Sequence, residues 1–403
     1  LGMLAKGLVA LALPGMIALA ALLAWRDGRT LRALVGWRPI ALFLGIAAPW
    51  FVLVWRAHPE FAYYPFVREH FERFTAEVGH PEGPFYYLPV LLLGPLPWSV
   101  WAIVLAASRE SRAAFGAIPA EARWLLSLWA GLVLAFFTAA SSKLAPYILP
   151  ALPAMALLLG AWIDRLLDRG AASLGTALRV NTVLYLGIGA LALVIGGLGW
   201  PLAAVIASRF HVPEEYVVTI ARALLAVGSV LLAAVVLVRR VERESGRRDV
   251  QVAVVAAGMA LAALAAVEGG GILKTARTLG EAVAAERREG DIVASYRHLM
   301  QSLVFYSRGR VVQVDAENEV KHGAEHLRGE DPRDGDEWFW SGTDRLLREW
   351  SSTRRVFLAT SRRKLADLEG RLDPAPRLLA QDFERVLLVN FDAPGSRPLP
   401  API

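Results

Sequence analysis

Eight stretches of this chain are too apolar to face water along their whole length. They run over about residues 3–25, 39–55, 86–107, 124–140, 144–163, 180–200, 217–238 and 250–267. Several reach the ~20 apolar residues that an α-helix needs to cross a ~30 Å hydrocarbon core. The 403 residues are 55% hydrophobic, an apolar share that a soluble domain rarely reaches. The fold expected is therefore mainly α: a polytopic membrane helix bundle over residues 1–267, with whatever follows outside the lipid.

Charge sets the orientation. The connections 26–38, 108–123, 164–179 and 239–249 carry 4, 3, 3 and 5 Lys/Arg, while 56–85, 141–143 and 201–216 carry 3, 1 and 1. Basic short loops stay on the cytoplasmic side, so the second set is external. With eight spans, the carboxyl-terminal part also lies outside. Residues 1–267 hold 22 Lys/Arg against 15 Asp/Glu, and residues 268–403 hold 21 against 22. The basic excess thus sits in the membrane half and does not point to nucleic acid. Cysteine is absent, which excludes disulfides and thiolate metal sites and leaves the compartment open. The chain opens LGMLAK without an initiator Met, inside an apolar run and without a signal-peptide pattern. The amino end is read as missing.

The external connection 56–85 is dense in aromatic and charged residues. Tyr64, Val67, Phe71, Phe74 and Val78 recur at three- and four-residue steps, which predicts one apolar helical face. Arg68/Glu72 and Glu69/Arg73 are opposite charges four apart on other faces. The pattern is that of a helix lying flat in the membrane interface. Two adjoining spans are broken toward the same side. The third contains Pro89, Gly94, Pro95 and Pro97, and the fifth reads LAPYILPALP with Pro146, Pro150 and Pro153. Proline removes a helical hydrogen bond, which lipid tolerates where protein or a wet cavity satisfies the freed carbonyls. The loop 201–216 reads as a surface turn.

From Glu268 the composition turns soluble. Gly269-Gly270-Gly271 reads as a flexible joint. Helices over 274–288, near 298–306, near 343–351 and over 361–368 alternate with strands over 291–296, 311–315, 355–360 and 385–390. That alternation predicts a small C-terminal α/β domain over 268–393. The proline-rich end 394–403 reads as a disordered tail. No phosphate-binding P-loop and no GxGxxG at a strand–helix junction is present.

Charged groups near lipid are costly and usually mean something. Lys143 lies in the tight turn Ser141-Ser142-Lys143, and Lys6 lies in an apolar run near the same side. A lysine at a helix end also snorkels to water without further purpose. Together with Arg73 and His70 on the external loop, they form a set of cations suited to a lipid-linked phosphate. His58, His70 and His80 are twelve and ten residues apart, which is no ligand spacing for a metal. One of them joined by a distant carboxylate leaves a divalent cation open.

The run HPEFAYYPFVREHFERFTAEVGHPEGPFYYLPVLLLGPLPW (58–98) resembles the external loop and following helix of the bacterial aminoarabinose (lipid A) transferases. These belong with the protein O-mannosyltransferase-like membrane glycosyltransferases of the C-type fold. LAKGLVALALPG, SSKLAPYILPALP and SYRHLMQSLVFYSRGRVVQVD fit in the same order. The resemblance implies an inverting glycosyltransferase of the bacterial inner membrane with a periplasmic carboxyl-terminal domain. Its donor would be a sugar on a polyprenyl phosphate. Its acceptor would be a lipid of the lipid A kind, or a protein, on the periplasmic side. Lys6, Lys143 and Tyr147 would meet the donor or line its cavity, and Tyr63, Tyr64, His70 and Arg73 would cover it. The family's catalytic carboxylate lies in a first external loop, expected upstream of Leu1. No catalytic residue is therefore assigned within this chain, which by itself is expected to be inactive. The competing reading is a non-enzymatic transporter or flippase of a lipid-linked sugar. It would favour inverted repeats and mid-membrane charges, which the sequence does not display. A third is a membrane assembly or sensor protein whose soluble domain binds a partner.

Overall fold

The computed structural model describes residues 1–25, 28–34, 36–57, 82–210, 213–315, 338–368, 370–382 and 384–398. The expected interface helix of the 56–85 connection falls almost wholly outside them.

All eight apolar runs are helical. The first forms α1 (Gly2–Lys6) and α2 (Val9–Trp25), turned at Gly7 with φ 66°. After α3 (Gly28–Leu34), the second forms α4 (Trp37–Ala57). The third forms α5 (Tyr87–Leu93) and α6 (Trp98–Ala107), bent by 94°. Pro95 and Pro97 lie at that bend and have no N–H to continue the helix. Next come α7 (Arg109–Gly116) and α8 (Ala120–Ala139). The proline-rich LAPYILPALP becomes a 3-10 turn, Ala145–Ala151, leading into α9 (Leu152–Asp168). Then follow α10 (Ala172–Gly199), α11 (Ala203–Phe210), α12 (Glu214–Glu244) and α13 (Arg248–Lys274).

Among the described residues six helical segments are long and apolar enough to cross a membrane, or seven if the bent pair is one span. The 17-residue α2 is apolar but shorter. The outer faces agree with a lipid solvent. On α4, Ile40, Leu42, Leu44, Leu53 and Trp55 are exposed, an apolar surface that water would not tolerate.

The chain divides into two compact units, residues 1–185 with 236–255, and residues 186–235 with 256–403. In the first, polar side chains stitch helices together inside the bundle. Trp101 Nε1 donates to Asn181 Oδ1 at 3.2 Å, Tyr185 Oη to the Val255 carbonyl at 2.8 Å, and Trp162 Nε1 to the Ser111 carbonyl at 2.8 Å. In the second, α10 and α12 approach through glycine. A Cβ on Gly228 would lie 2.7 Å from the Gly189 carbonyl, and one on Gly196 would lie 2.7 Å from that of Ala221. Small residues at such contacts let membrane helices close in.

Two expectations are corrected here. The stretch 201–216 is more than a turn, because it contains α11. Ala203 and Ala207, four apart, are buried, while Leu202, Val205 and Phe210 are exposed. The triple glycine 269–271 is no joint, since α13 runs through it to Lys274 and Thr275 N still donates to the Gly271 carbonyl at 3.3 Å. Each glycine costs a helix about 1 kcal/mol. Extending a helix that already exists needs no new nucleus, so the backbone bonds continue.

The soluble part is built on a sheet of strand order β3-β2-β1-β4-β6-β5-β7. The strands are β1 (Ile292–Tyr296), β2 (Val312–Val314), β3 (Phe339–Trp340), β4 (Val356–Ser361), β5 (Arg377–Gln381), β6 (Arg385–Val389) and β7 (Arg397–Pro398). The first four are mutually parallel, and β6, β5 and β7 pair antiparallel in turn. Alternate residues serve opposite faces. Ile292, Ala294, Tyr296, Val356 and Leu358 share a core with Leu346 and Trp350 of α16 (Asp344–Trp350). Val293, Phe357, Ala359, Leu387 and Val389 share the other with Leu279 and Val283 of α14 (Arg277–Glu286) and Leu303 of α15 (Gln301–Tyr306). The expected 361–368 helix is a short turn, α17 (Arg362–Leu365), continued as 3-10 over Ala366–Leu368. The tail is partly structured, since Arg397–Pro398 pairs with Arg377 and Leu378.

Candidate functional site

Of the residues singled out from the sequence, Lys6, Lys143 and Tyr147 fall among the described residues of the first unit. Val9 and Leu13 of α2, Tyr86, Tyr87, Val133 and Phe137 of α8, and Tyr147 and Ile148 of the 3-10 turn pack into one cluster. The start of α2 and the end of α8 therefore both border this cluster. Lys6 closes α1 just before that start and is exposed. Lys143 follows that end, in the turn to the 3-10 segment. The elements bearing Lys6, Lys143 and Tyr147 thus adjoin one apolar cluster.

Lys143 is only 4% exposed. Its Nζ donates to the Ala140 carbonyl at 2.5 Å and to the Glu82 carbonyl at 2.9 Å. The first bond caps the end of α8, where carbonyls have no helical partner. The second fastens the residues leading into α5. Glu82 N returns a bond to the Ser141 carbonyl at 3.3 Å, and Tyr87 Oη donates to the Leu144 carbonyl at 3.3 Å. The turn 140–144 and the entry to α5 are thus laced together in both directions. An ammonium has three donors. Two are spent on carbonyls, and no carboxylate pairs with Lys143 among the described residues. Burying a charge costs free energy unless it is paired and hydrogen-bonded, and among the described residues these two carbonyls are the partners of Lys143.

Tyr147 is half-buried, with its ring 5.3 Å from that of Phe137. Tyr86 and Tyr87 meet edge to face at 5.1 Å. Tyr147 was singled out from the sequence, whereas Tyr86 and Tyr87 were not. Their signal was the Phe85-Tyr86-Tyr87 triplet at the head of the third apolar run. Tyr63, Tyr64, His70 and Arg73 lie outside the described residues. So do His58 and His80, while among the described residues no three His, Asp or Glu side chains gather as a metal site would need.

Comparison with known proteins bears on what such a region is for. No family model matches the chain. In sequence it is 34% identical over 239 residues to the undecaprenyl phosphate-alpha-4-amino-4-deoxy-L-arabinose arabinosyl transferase of Pectobacterium carotovorum, covering 58% of this chain and 41% of that protein. To a relative of the same name in Sodalis glossinidius it is 38% identical over 166 residues, 40% of this chain and 28% of that one. In structure it matches the crystal structure of ArnT from Cupriavidus metallidurans bound to undecaprenyl phosphate, with a TM-score of 0.73 and 25% identity over 96% of this chain and 66% of that one. The chain is ArnT-like in sequence and in fold. The resemblance read from the four ordered runs is borne out, as is the mainly helical membrane fold. The ArnT-like chain spans less than half the length of the curated relatives it matches.

Proposed function

We propose that this chain is part of a membrane glycosyltransferase that takes a sugar from a polyprenyl phosphate and passes it to a lipid of the lipid A kind, or to a protein, on the periplasmic side of the inner membrane. The observation that carries the reading is Lys143: a buried ammonium without a carboxylate partner among the described residues, in a fold like that of a lipid-phosphate-bound ArnT. In this reading the donor phosphate lies against Lys143, which supplies a fixed charge in a low-dielectric surround where it acts strongly. Lys6 adds a second positive charge beside the same apolar cluster, and Tyr147 with Tyr86 and Tyr87 offers an apolar floor to the first prenyl units. The named relatives are transferases, which weighs against a carrier of lipid-linked sugar.

The test is binding of undecaprenyl phosphate to the full chain in nanodiscs, followed by quenching of its tryptophans. Binding is expected for the unaltered chain. Lys143→Met is expected to weaken it about tenfold, the scale of one charge-assisted contact, with Lys143→Arg between the two. No binding by the unaltered chain, or unchanged affinity in Lys143→Met, overturns the proposal.

A further inference from the structure

The α/β domain carries an apolar foot that its own core does not use. Leu299, Val304 and Phe305 are 44%, 41% and 76% exposed. The first lies just before α15 and the other two on its outward side, away from the buried Leu303. A soluble surface rarely leaves a phenylalanine so bare beside two more apolar side chains.

What lies beside this foot follows from how α15 is held. The last long helix, α13, ends at Lys274, and α14 starts at Arg277, with only Thr275 and Ala276 between them. The junction is fastened: Arg385 of β6 donates from a guanidinium Nη to the Thr275 carbonyl at 2.8 Å, and Ala276 N donates to Ser302 Oγ of α15 at 2.9 Å. Helix α14 is tied to a second span end as well. Tyr216, two residues into α12, shares a hydrogen bond of 3.2 Å with Thr278 Oγ1. Helix α15 lies directly on α14, because a Cβ on Gly280 would come 2.5 Å from that of Tyr306. The apolar part of α12 starts at about Tyr216, so Thr278 marks the level where lipid gives way to water. Packed helices lie ~8–10 Å apart, and the headgroup layer is roughly 5–7 Å thick on each side. Helix α15 therefore lies within about one helix width of that boundary, near enough for a side chain as long as Phe305 to reach the headgroup layer. Arg308 and Arg310, both exposed, follow it at once, and cations beside an apolar face suit anionic headgroups.

We propose that Leu299, Val304 and Phe305 insert into the outer headgroup layer, so that the α/β domain rests on the bilayer through this foot in addition to its helical connection. The proposal holds whether or not the chain transfers a sugar.

The absence of cysteine allows a clean test in the full chain. Phe305→Cys and Val304→Cys would each carry an environment-sensitive fluorophore, with Arg348→Cys on exposed α16 as the aqueous control. The proteins would be reconstituted into vesicles of phosphatidylethanolamine and phosphatidylglycerol containing a shallow nitroxide lipid. Probes at Phe305 and Val304 should emit further to the blue than the control. They should be quenched by the nitroxide lipid at least about threefold more strongly, as interfacial side chains are, and be shielded from iodide. A Phe305 probe as open to iodide as the control overturns the proposal. So does one shielded from both quenchers, which would mean a protein partner or a second copy covers the foot.

Discussion

Lys143 has a structural duty that its sequence does not announce. The reading weighed a headgroup cation against a snorkelling lysine; the structure instead has the ammonium turned inward, onto the Ala140 and Glu82 carbonyls. The spacing of Ser-Ser-Lys marked the turn but not the direction of the side chain, because the acceptor at Glu82 is 61 residues away in sequence. His298 is the converse case, unremarked in the sequence and chemically shifted in the fold. Burial, then the positive charges of Arg385 and Lys364, lower its pKa from the ordinary 6.5. Its folded form therefore binds a proton less readily than its unfolded form. The stability tied to neutral His298 is complete above about pH 6.5 and declines as the pH falls toward the lowered value. A melting series across that window should show this loss, and His298→Gln should flatten it. Equal slopes in the two proteins would remove His298 as its source.

At the scale of elements, the apolar runs marked where helices lie but not where they touch. Glycines 189, 196 and 228 are unremarkable in a sequence full of small residues, yet all three lie where α10 and α12 come into backbone contact. Gly228→Val would drive a branched side chain into the Gly189 carbonyl and Leu193, both 2.7 Å from the position of its Cβ. A loss of roughly 1–3 kcal/mol is expected from such overpacking, read as a lower melting temperature in detergent. Gly187→Val, where nothing lies within 4 Å, should be close to neutral. The strands β1, β4 and β6 were legible as continuous apolar runs because both faces of the sheet are covered. The strands β5 and β7 were not. Arg377–Gln381 has only Leu378-Leu379-Ala380 between polar ends and Arg397–Pro398 has no apolar run, and their strand character comes from pairing with β6 and with each other.

For the whole molecule, the alternation of basic and less basic loops predicts sidedness, and a chain without cysteine makes that measurable. In spheroplasts, a cysteine placed at Arg348 should react with a membrane-impermeant maleimide from outside. One placed at Arg243, in the basic last turn of α12, should react only after permeabilisation. The reverse pattern would invert the topology. How many runs there are and how the basic loops alternate were legible, because both depend on composition alone. The association of residues 186–235 with the carboxyl-terminal part in one compact unit was not. The hydrogen bond of Tyr216 to Thr278 is one contact that joins them, between residues 62 apart in sequence.

The unbroken passage of α13 through Gly269-Gly270-Gly271 has a geometric corollary. A helix advances about 1.5 Å and turns about 100° per residue. With no slack before the Thr275–Arg385 clasp, the length of that stem works as a screw thread. One residue more or fewer would swing the sheet by more than a quarter-turn relative to the outer part of the span it grows from.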